Sequence, residues 1–259
     1  MNIIVCVKQI IDPETPAAAF KIDAEAKRAI PPKDMSMVIS DYDANAVETA
    51  LKLKDAHSGK VTVLSLGGES AREVIMRCLA MGADEGVLLN DPAFDDSDSF
   101  ATASILTEAI KKTGEYDLIL CGRQEGDWDA GQVGSGIAEL LGIPSVTVVG
   151  KIEVSDGKIR VERVVADGRE VIEIGFPSLF TISSEVGKPR YATFKGIMSA
   201  KKKPITYWSS QDVSPAEARN KMLKLFIPVR KSKCEFIEGE TSEEAGTNLA
   251  IKIRGAKII

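Results

Sequence analysis

The sequence predicts a doubly wound α/β fold with a mostly parallel sheet, an added antiparallel hairpin and a C-terminal extension. Short apolar runs alternate with segments of helical periodicity up to residue 149, which is typical of a parallel sheet with helices on both faces. Two Asp-Gly pairs then separate β-rich runs, as in antiparallel hairpins. Residues 211–259 are charged and sparse in apolar runs, so they can form little core of their own.

The alternating part divides into predicted strands and helices. Helix 44–54 carries Val47, Ala50 and Leu51 at helical spacing, and helix 69–81 stops at Gly82. The predicted strands of the parallel sheet are 2–7, 60–66, 86–89, 117–121, 145–149 and 178–182. The other predicted helices are 99–112, a segment after Gly131, and 214–223 in the extension. The antiparallel part comprises 151–154, 158–165 and 170–174, with turns at Asp156-Gly157 and Asp167-Gly168.

Composition excludes several classes of function. The 259 residues include 33 Lys and Arg against 38 Asp and Glu, so the net charge of -5 offers no global basic footprint for nucleic acid. The sequence contains no apolar run of about 18 residues, so we expect no membrane span. The first strand begins at once, without the charged region and cleavage site of a signal peptide, so we expect a cytoplasmic protein.

Cysteine and histidine usage argues against a metal site. The four cysteines are Cys6, Cys78, Cys121 and Cys234, and none forms a C-x-x-C pair. The first three lie in apolar runs and are predicted to be small core residues. His57 is the only histidine, so a His-based catalytic triad or a multi-histidine metal site is not available.

The most informative segment is the glycine-rich run 122–134, which follows a buried strand and leads into a helix. The first N–H groups of a helix lack internal partners and lie at the positive end of its dipole, so such a turn suits a phosphate. Gly131, Gly134 and Gly136 are expected to let a ligand approach the backbone. The common phosphate fingerprints are absent, however, so a plain strand–helix connection capped by Asp remains an alternative.

Two further turns are predicted at the same edge of the sheet. One follows Val7, and the other spans residues 65–68. Ligands of doubly wound sheets bind beyond the carboxyl ends of the strands, where the strand order reverses. The convergence of three turns there favours a nucleotide site.

The chain resembles the β subunit of electron transfer flavoproteins. The resemblance covers residues 1–208 in order and rests on segments 5–8, 46–54, 80–84, 122–141, 161–168, 176–179 and 188–203. The most specific of these begins Pro189-Arg-Tyr-Ala-Thr and ends Lys201-Lys-Lys203. The resemblance implies an adenine nucleotide α-hydrolase-like fold. It also implies that residues 1–208 form a nucleotide-binding domain with a recognition loop at 188–203, and that 209–259 form an arm packing on the α subunit.

The resemblance implies a heterodimer in which the α subunit holds most of an FAD that the β subunit closes over. The pair takes electrons from flavin dehydrogenases, such as acyl-CoA dehydrogenase, and passes them to another acceptor. The β subunit also binds either AMP or, in electron-bifurcating members, a second FAD. Residues 91–103 look more like bifurcating members, so FAD is favoured in this subunit. Two flavins would let an electron pair be divided between a high- and a low-potential acceptor.

The resemblance also assigns site residues. Asp127 and Asp129 are placed near the ribose or base, and Gln132, Val133 and Gly134 offer N–H groups to phosphate. The other matching cofactor positions are Cys6, Ser40, Leu66, Thr102, Gly122 and Gln124. Two residues depart from the AMP-binding pattern: Ser40 replaces a common Asn, and Pro13 a frequent Tyr.

The recognition loop is expected to dock the dehydrogenase. Phe194 stands where the family places an exposed apolar anchor, and a large apolar side chain on a polar loop suits a hot spot. The other expected docking residues are Arg190, Tyr191, Ile197 and Met198. Local packing of Phe194 under the loop remains an alternative.

Two other functions remain open on the residues alone. The chain could be a stand-alone adenine-nucleotide-binding module, acting as an ATP-dependent ligase or a stress sensor, although it lacks the Ser-Gly-Gly-x-Asp pyrophosphate loop. It could also be a phosphohydrolase that uses Asp127 and Asp129 as magnesium ligands.

Overall fold

A computed structural model describes residues 1–31, 37–155, 157–228 and 234–258. Its strands are β1 Asn2–Cys6, β2 Gln9–Ile11, β3 Lys21–Asp23, β4 Arg28–Ile30, β5 Met37–Ile39, β6 Lys60–Leu66, β7 Glu85–Leu89, β8 Leu118–Gly122, β9 Ser145–Ser155, β10 Lys158–Val165, β11 Gly168–Ile174, β12 Ser178–Ile182 and β13 Ile205–Trp208. Its α-helices are α1 Asp41–His57, α2 Arg72–Met81, α3 Ser99–Thr113, α4 Val133–Leu141, α5 Phe194–Ala200 and α6 Ser242–Gly255.

The central sheet has the order β11-β10-β9-β12-β8-β1-β6-β7-β13. Its strands are parallel from β9 to β13, while β10 and β11 extend it as an antiparallel hairpin. The chain adds β6 and β7 on one side of β1 and then crosses to β8 on the other side. The topological switch point therefore lies between β1 and β8, and the predicted fold class is confirmed.

Helices cover both faces of the sheet because successive strand residues point to opposite sides. Ile3 and Val5 join a core cluster with α1 and α2, whereas Ile4 and Cys6 join a second cluster with α3 and α4. Phe180 is fully buried at the centre of the first cluster. Strands β1 and β8 are continuous apolar runs because helices cover both of their faces.

Strand β9 is longer than predicted. The predicted runs 145–149 and 151–154 form one strand, interrupted by a register shift opposite β12. Val148 lies in this irregularity with φ of +57° and donates its N–H to Thr181 Oγ1 at 3.0 Å. The turn between β9 and β10 was predicted at Asp156-Gly157, of which Asp156 lies outside the described residues; the turn before Gly168 is confirmed.

The predicted helix 214–223 is wrong. Asp98 Oδ2 accepts the backbone N–H groups of Arg219 and Asn220 at 2.9 and 2.8 Å, and the Arg219 guanidinium lies 3.5 Å from the centroid of the Phe100 ring. These contacts hold the segment against α3 in a non-helical conformation, so tertiary contacts override local helix propensity.

The chain divides into two compact units, Met1–Lys224 and Leu225–Ile259. The first extends beyond the predicted boundary at 208 because Val213 is buried in the core cluster of α3 and α4. The second contains α6, a helix with no buried residue that the sequence analysis did not predict. Thr241 caps α6 by accepting the Glu244 N–H at 3.2 Å. None of the described helices is long and apolar enough to cross a membrane.

Candidate nucleotide-binding site

Three predicted site residues end neighbouring strands. Cys6 ends β1, Leu66 ends β6 and Gly122 ends β8, all at the carboxyl edge of the sheet. Cys6 and Cys121 are buried there as free thiols, and a hydrogen bond with Cys6 together with burial raises the pKa of Cys121 well above its usual range. Both cysteines are therefore buried core residues, as predicted.

A buried carboxylate joins the two loops at the switch point. Asp43 lies in the first turn of α1 and is 7% exposed. Its Oδ2 accepts the Lys8 N–H at 2.8 Å, and its Oδ1 accepts the Gly122 N–H at 3.0 Å. Burial raises the pKa of Asp43 to about 7, against the opposing effect of these two hydrogen bonds.

Two further contacts fasten the glycine-rich loop. Ser40 precedes α1 but does not cap it; its Oγ instead accepts the Gly126 N–H at 3.2 Å. Lys8 Nζ lies 2.8 Å from Asp127 Oδ1. The turn after β1, the start of α1 and the loop after β8 therefore meet at one place, and this brings together the predicted residues Ser40, Gly122 and Asp127.

The glycine-rich loop is also braced from within. Gln124 Nε2 donates to Asp129 Oδ1 at 2.8 Å, and Glu125 Oε2 accepts the Gly131 N–H at 3.2 Å. Asp129 and Gly131 have φ of +52° and +62°, the left-handed conformation that Gly and Asp tolerate best. The loop is thus a defined turn in which Trp128 is 53% exposed at the surface.

Helix α4 begins without a side-chain cap, because Gln132 makes no capping hydrogen bond. Its first turn contains the predicted residues Val133 and Gly134, so N–H groups of the kind that bind anions are available there.

The glycines of α4, however, serve packing. A Cβ at Gly134 would lie 2.7 Å from Thr181 Cγ2, and a Cβ at Gly136 would lie 2.9 Å from the Ala103 Cβ. Protein atoms therefore occupy the space on the Cβ side of both glycines, and the expected role in admitting a ligand stays a prediction. Gly131 is required by its backbone conformation.

Thr102 lies in the first turn of α3, half-buried and next to the residue that contacts α4. Two capping aspartates fix the segment 91–103, which contains Thr102. Asp91 accepts the Ala93 N–H at 2.8 Å, and Asp98 accepts the Ala101 N–H at 2.9 Å. Thr102 therefore belongs to a fixed helix start on the α4 side of the sheet.

The predicted docking residues form an exposed apolar surface on and before α5. Tyr191 and Phe194 are 92% and 80% exposed, and Ile197 and Met198 are each about half exposed. Phe194 therefore does not pack under the loop. We call these four residues the docking patch.

Arg190 has a different environment from the docking patch. It donates through Nε to Glu48 Oε2 at 2.8 Å and lies 2.9 Å from Asp55 Oδ2. Glu48 is buried, and hydrogen bonding to Glu48 raises the pKa of Arg190. Arg190 thus ties the segment before the patch to α1.

Helix α5 is seated on the end of α2. A Cβ at Gly196 would lie 2.3 Å from the Ala80 carbonyl oxygen, so only glycine permits this approach. Lys203 Nζ donates to the carbonyl oxygens of Leu79 and Ala83. Because α2 ends where β7 begins, the docking patch lies at the amino edge of the sheet, opposite the glycine-rich loop.

The two loop aspartates have partners within the chain. Within the described residues, no group of three His, Cys, Asp or Glu side chains is placed to hold a metal ion. Asp127 is paired with Lys8, and Asp129 accepts from Gln124. These contacts weigh against the magnesium-dependent phosphohydrolase.

Three residues of this region were not singled out from the sequence: Lys8, Asp43 and Glu48. Asp43 resembled an ordinary acidic residue of a first helical turn. It precedes Val47 and Ala50 by four and seven positions, however, so it lies on the apolar face of α1. A carboxylate on the apolar face of α1 was the sequence feature that could have identified Asp43.

Comparison with known proteins identifies the family. The family model for the electron transfer flavoprotein domain matches residues 33–213. The chain belongs to the electron transfer flavoprotein family. Similar members are the electron transfer flavoprotein subunit beta of Clostridium acetobutylicum (39% identical, over 93% of this chain and 90% of the relative) and the caffeyl-CoA reductase-Etf complex subunit CarD of Acetobacterium woodii (39% identical over both whole chains). The acryloyl-CoA reductase electron transfer subunit gamma of Anaerotignum propionicum is 37% identical, also over both whole chains. Electron transfer flavoprotein membership implies association with a flavin.

Proposed function

We propose that this chain is the β subunit of an electron transfer flavoprotein, which pairs with an α subunit and carries electrons between a flavin dehydrogenase and a second acceptor. Membership of the family carries this proposal, together with a braced glycine-rich loop at the topological switch point. FAD supplies the electron chemistry, while the protein contributes binding, orientation and exclusion of water.

The residues of the loop fit an adenine nucleotide in this chain. The uncapped start of α4 offers donors to a phosphate, with Gln132, Val133 and Gly134 as the proposed partners. Asp127 is neutralised by Lys8, so its charge opposes a nearby phosphate less, and carboxylates accept hydrogen bonds from ribose hydroxyls. Cys6, Ser40, Leu66, Thr102, Gly122, Gln124 and Asp129 complete the proposed lining.

We propose FAD rather than AMP as the nucleotide of this chain, and electron bifurcation as the corresponding function. The resemblance of residues 91–103 to bifurcating members supports this choice. Helix α3 begins in this segment and packs closely on α4, so the segment lies beside the helix that is proposed to bind the phosphate.

The docking patch is the proposed contact for the dehydrogenase. A cluster of large exposed apolar side chains on a firmly seated helix is suited to a protein interface. Relatives named as parts of caffeyl-CoA and acryloyl-CoA reductase assemblies support a partner of the acyl-CoA dehydrogenase class. We propose in addition that the second unit, with its exposed helix α6, packs on the α subunit.

The nucleotide content of the heterodimer tests the proposal. The chain is co-expressed with an α subunit, the purified pair is acid-treated, and FAD and AMP are quantified per dimer. We expect a yellow complex with two FAD and no AMP. One FAD with one AMP would overturn bifurcation and leave a simple electron carrier. A colourless chain that binds ATP without a partner would favour the stand-alone adenine-nucleotide module.

A further inference from the structure

The turn after β1 and the glycine-rich loop belong to segments far apart in the sequence, and one carboxylate contacts both. Asp43 accepts the Lys8 N–H through one oxygen and the Gly122 N–H through the other. The Lys8 carbonyl oxygen also accepts the Ser40 N–H at 3.0 Å. Helix α1 therefore fixes the turn after β1 by its first residues and hydrogen-bonds to the end of β8 through Asp43.

The Asp43 carboxylate occupies the space where a side chain at Gly122 would begin. A Cβ at Gly122 would lie 2.5 Å from Asp43 Oδ1 and 2.9 Å from the Asp43 nitrogen. The absence of a side chain at Gly122 thus leaves room for the Asp43 carboxylate at the end of β8. Burying a carboxylate is costly unless its oxygens are hydrogen-bonded, and here each oxygen has a backbone donor.

We propose that Asp43 is a positioning residue that holds the glycine-rich loop and the turn after β1 in a fixed arrangement before any ligand binds. Asp43 is not itself one of the proposed lining residues; it acts through the Lys8 and Gly122 backbone. The Ser40–Gly126 and Lys8–Asp127 contacts then extend the fixed region along the loop.

Amide hydrogen exchange of the full chain, resolved to single residues, tests this role. Asp43→Ala removes both acceptors, so exchange at Lys8 and Gly122 should rise roughly tenfold, as expected for loss of a hydrogen bond. Asp43→Asn keeps one acceptor oxygen, so one of the two amides should lose protection while the other keeps it. Amides within β1 and β6 should not change in either variant.

Asp41→Asn is the matched control, because Asp41 is an exposed acid of the same helical turn. It should leave both amides protected. Unchanged protection of Lys8 and Gly122 in either Asp43 variant would overturn the proposal, as would an equal loss of protection in the central strands. The Asn variant decides the matter if the Ala variant does not fold. Nucleotide binding is not part of the readout, so the result is independent of the proposed function.

Discussion

At the scale of single residues, the candidate site depends on side chains whose partners are distant in sequence. Asp43 and Gly122 are 79 positions apart, and Arg190 and Glu48 are 142 apart. Residue types alone indicate neither pair. The loop aspartates and glycines could be predicted because they are local features of a strand–turn–helix segment, whereas a buried acceptor is recognised only once the fold brings its donors to it.

The stability of the chain should depend on pH through Asp43. The pKa of Asp43 is about 7 in the folded chain, whereas an unfolded Asp has a pKa of about 3.9. Between these values the folded state holds a proton that the unfolded state has lost, so stability falls as pH rises. Relative to Asp43→Asn, the free energy of unfolding should fall by about 1.4 kcal/mol per pH unit from about pH 4 to 7.

Urea unfolding of both chains across this range measures the difference. Other groups close to Asp43 are Lys8, Glu125, Cys78 and Cys121, and they are common to both chains. Their contributions therefore largely cancel. Parallel curves for the two chains would contradict the prediction.

At the scale of elements, helix α4 should be sensitive to a single methyl group. Gly134→Ala places a Cβ against Thr181 Cγ2, and such overpacking costs about 1–3 kcal/mol. Thr181→Ser removes that methyl while keeping the hydroxyl that accepts the Val148 N–H. The double variant should therefore recover much of the unfolding free energy that Gly134→Ala loses, as measured by urea denaturation.

A helix glycine without neighbours provides the control for this substitution. Nothing lies within 4 Å of a Cβ at Gly246 in α6, so Gly246→Ala should not destabilise the chain. If the double variant were no more stable than Gly134→Ala alone, the contact with Thr181 would not be the cause.

Helix α5 should determine partner affinity without affecting the nucleotide. Phe194→Ala removes the largest exposed side chain of the helix itself, and loss of a hot-spot side chain reduces affinity roughly 30-fold or more. Calorimetric titration of the heterodimer with an acyl-CoA dehydrogenase measures this change in affinity. Val171→Ala alters an exposed apolar residue of β11 and should leave the affinity unchanged. A fall in FAD content with Phe194→Ala would point to misfolding instead.

The elements were predictable where periodicity and packing agree. Strands β6 and β12 have their predicted bounds, because apolar runs between turn residues were buried on both faces. The segment 214–223 has helical propensity but is held by Asp98, and α6 was missed although Thr241 and Glu244 have the spacing of a capping box. Prediction of helices thus failed where long-range contacts held a segment in another conformation, or where a helix had no apolar face.

At the scale of the whole molecule, the first unit should fold without the second. The buried hydrophobic residues that the structure describes end at Val213. Deletion of residues 225–259 should therefore leave the circular dichroism spectrum of the α/β unit and its unfolding midpoint nearly unchanged. The same deletion should abolish co-purification with the α subunit, because the second unit is the proposed arm.

The folding and co-purification measurements distinguish loss of pairing from loss of folding. A shortened chain that folds and still co-purifies with the α subunit would show that the arm is dispensable for pairing. A shortened chain that fails to fold would contradict the independence of the first unit.

The fold class followed from the βα alternation. Nothing local in the sequence, however, indicated that the docking patch and the glycine-rich loop lie at opposite edges of the sheet.

This separation has a consequence for the evolution of the family. The docking patch is anchored to α2 through Gly196 and Lys203, at the amino edge, and shares no described contact with the loop after β8. Substitutions on the patch therefore change no described contact of the glycine-rich loop. Under the proposed roles of the two surfaces, exchange of one redox partner for another would need changes only on and before this seven-residue helix, while the proposed nucleotide site at the far edge of the sheet stays unchanged.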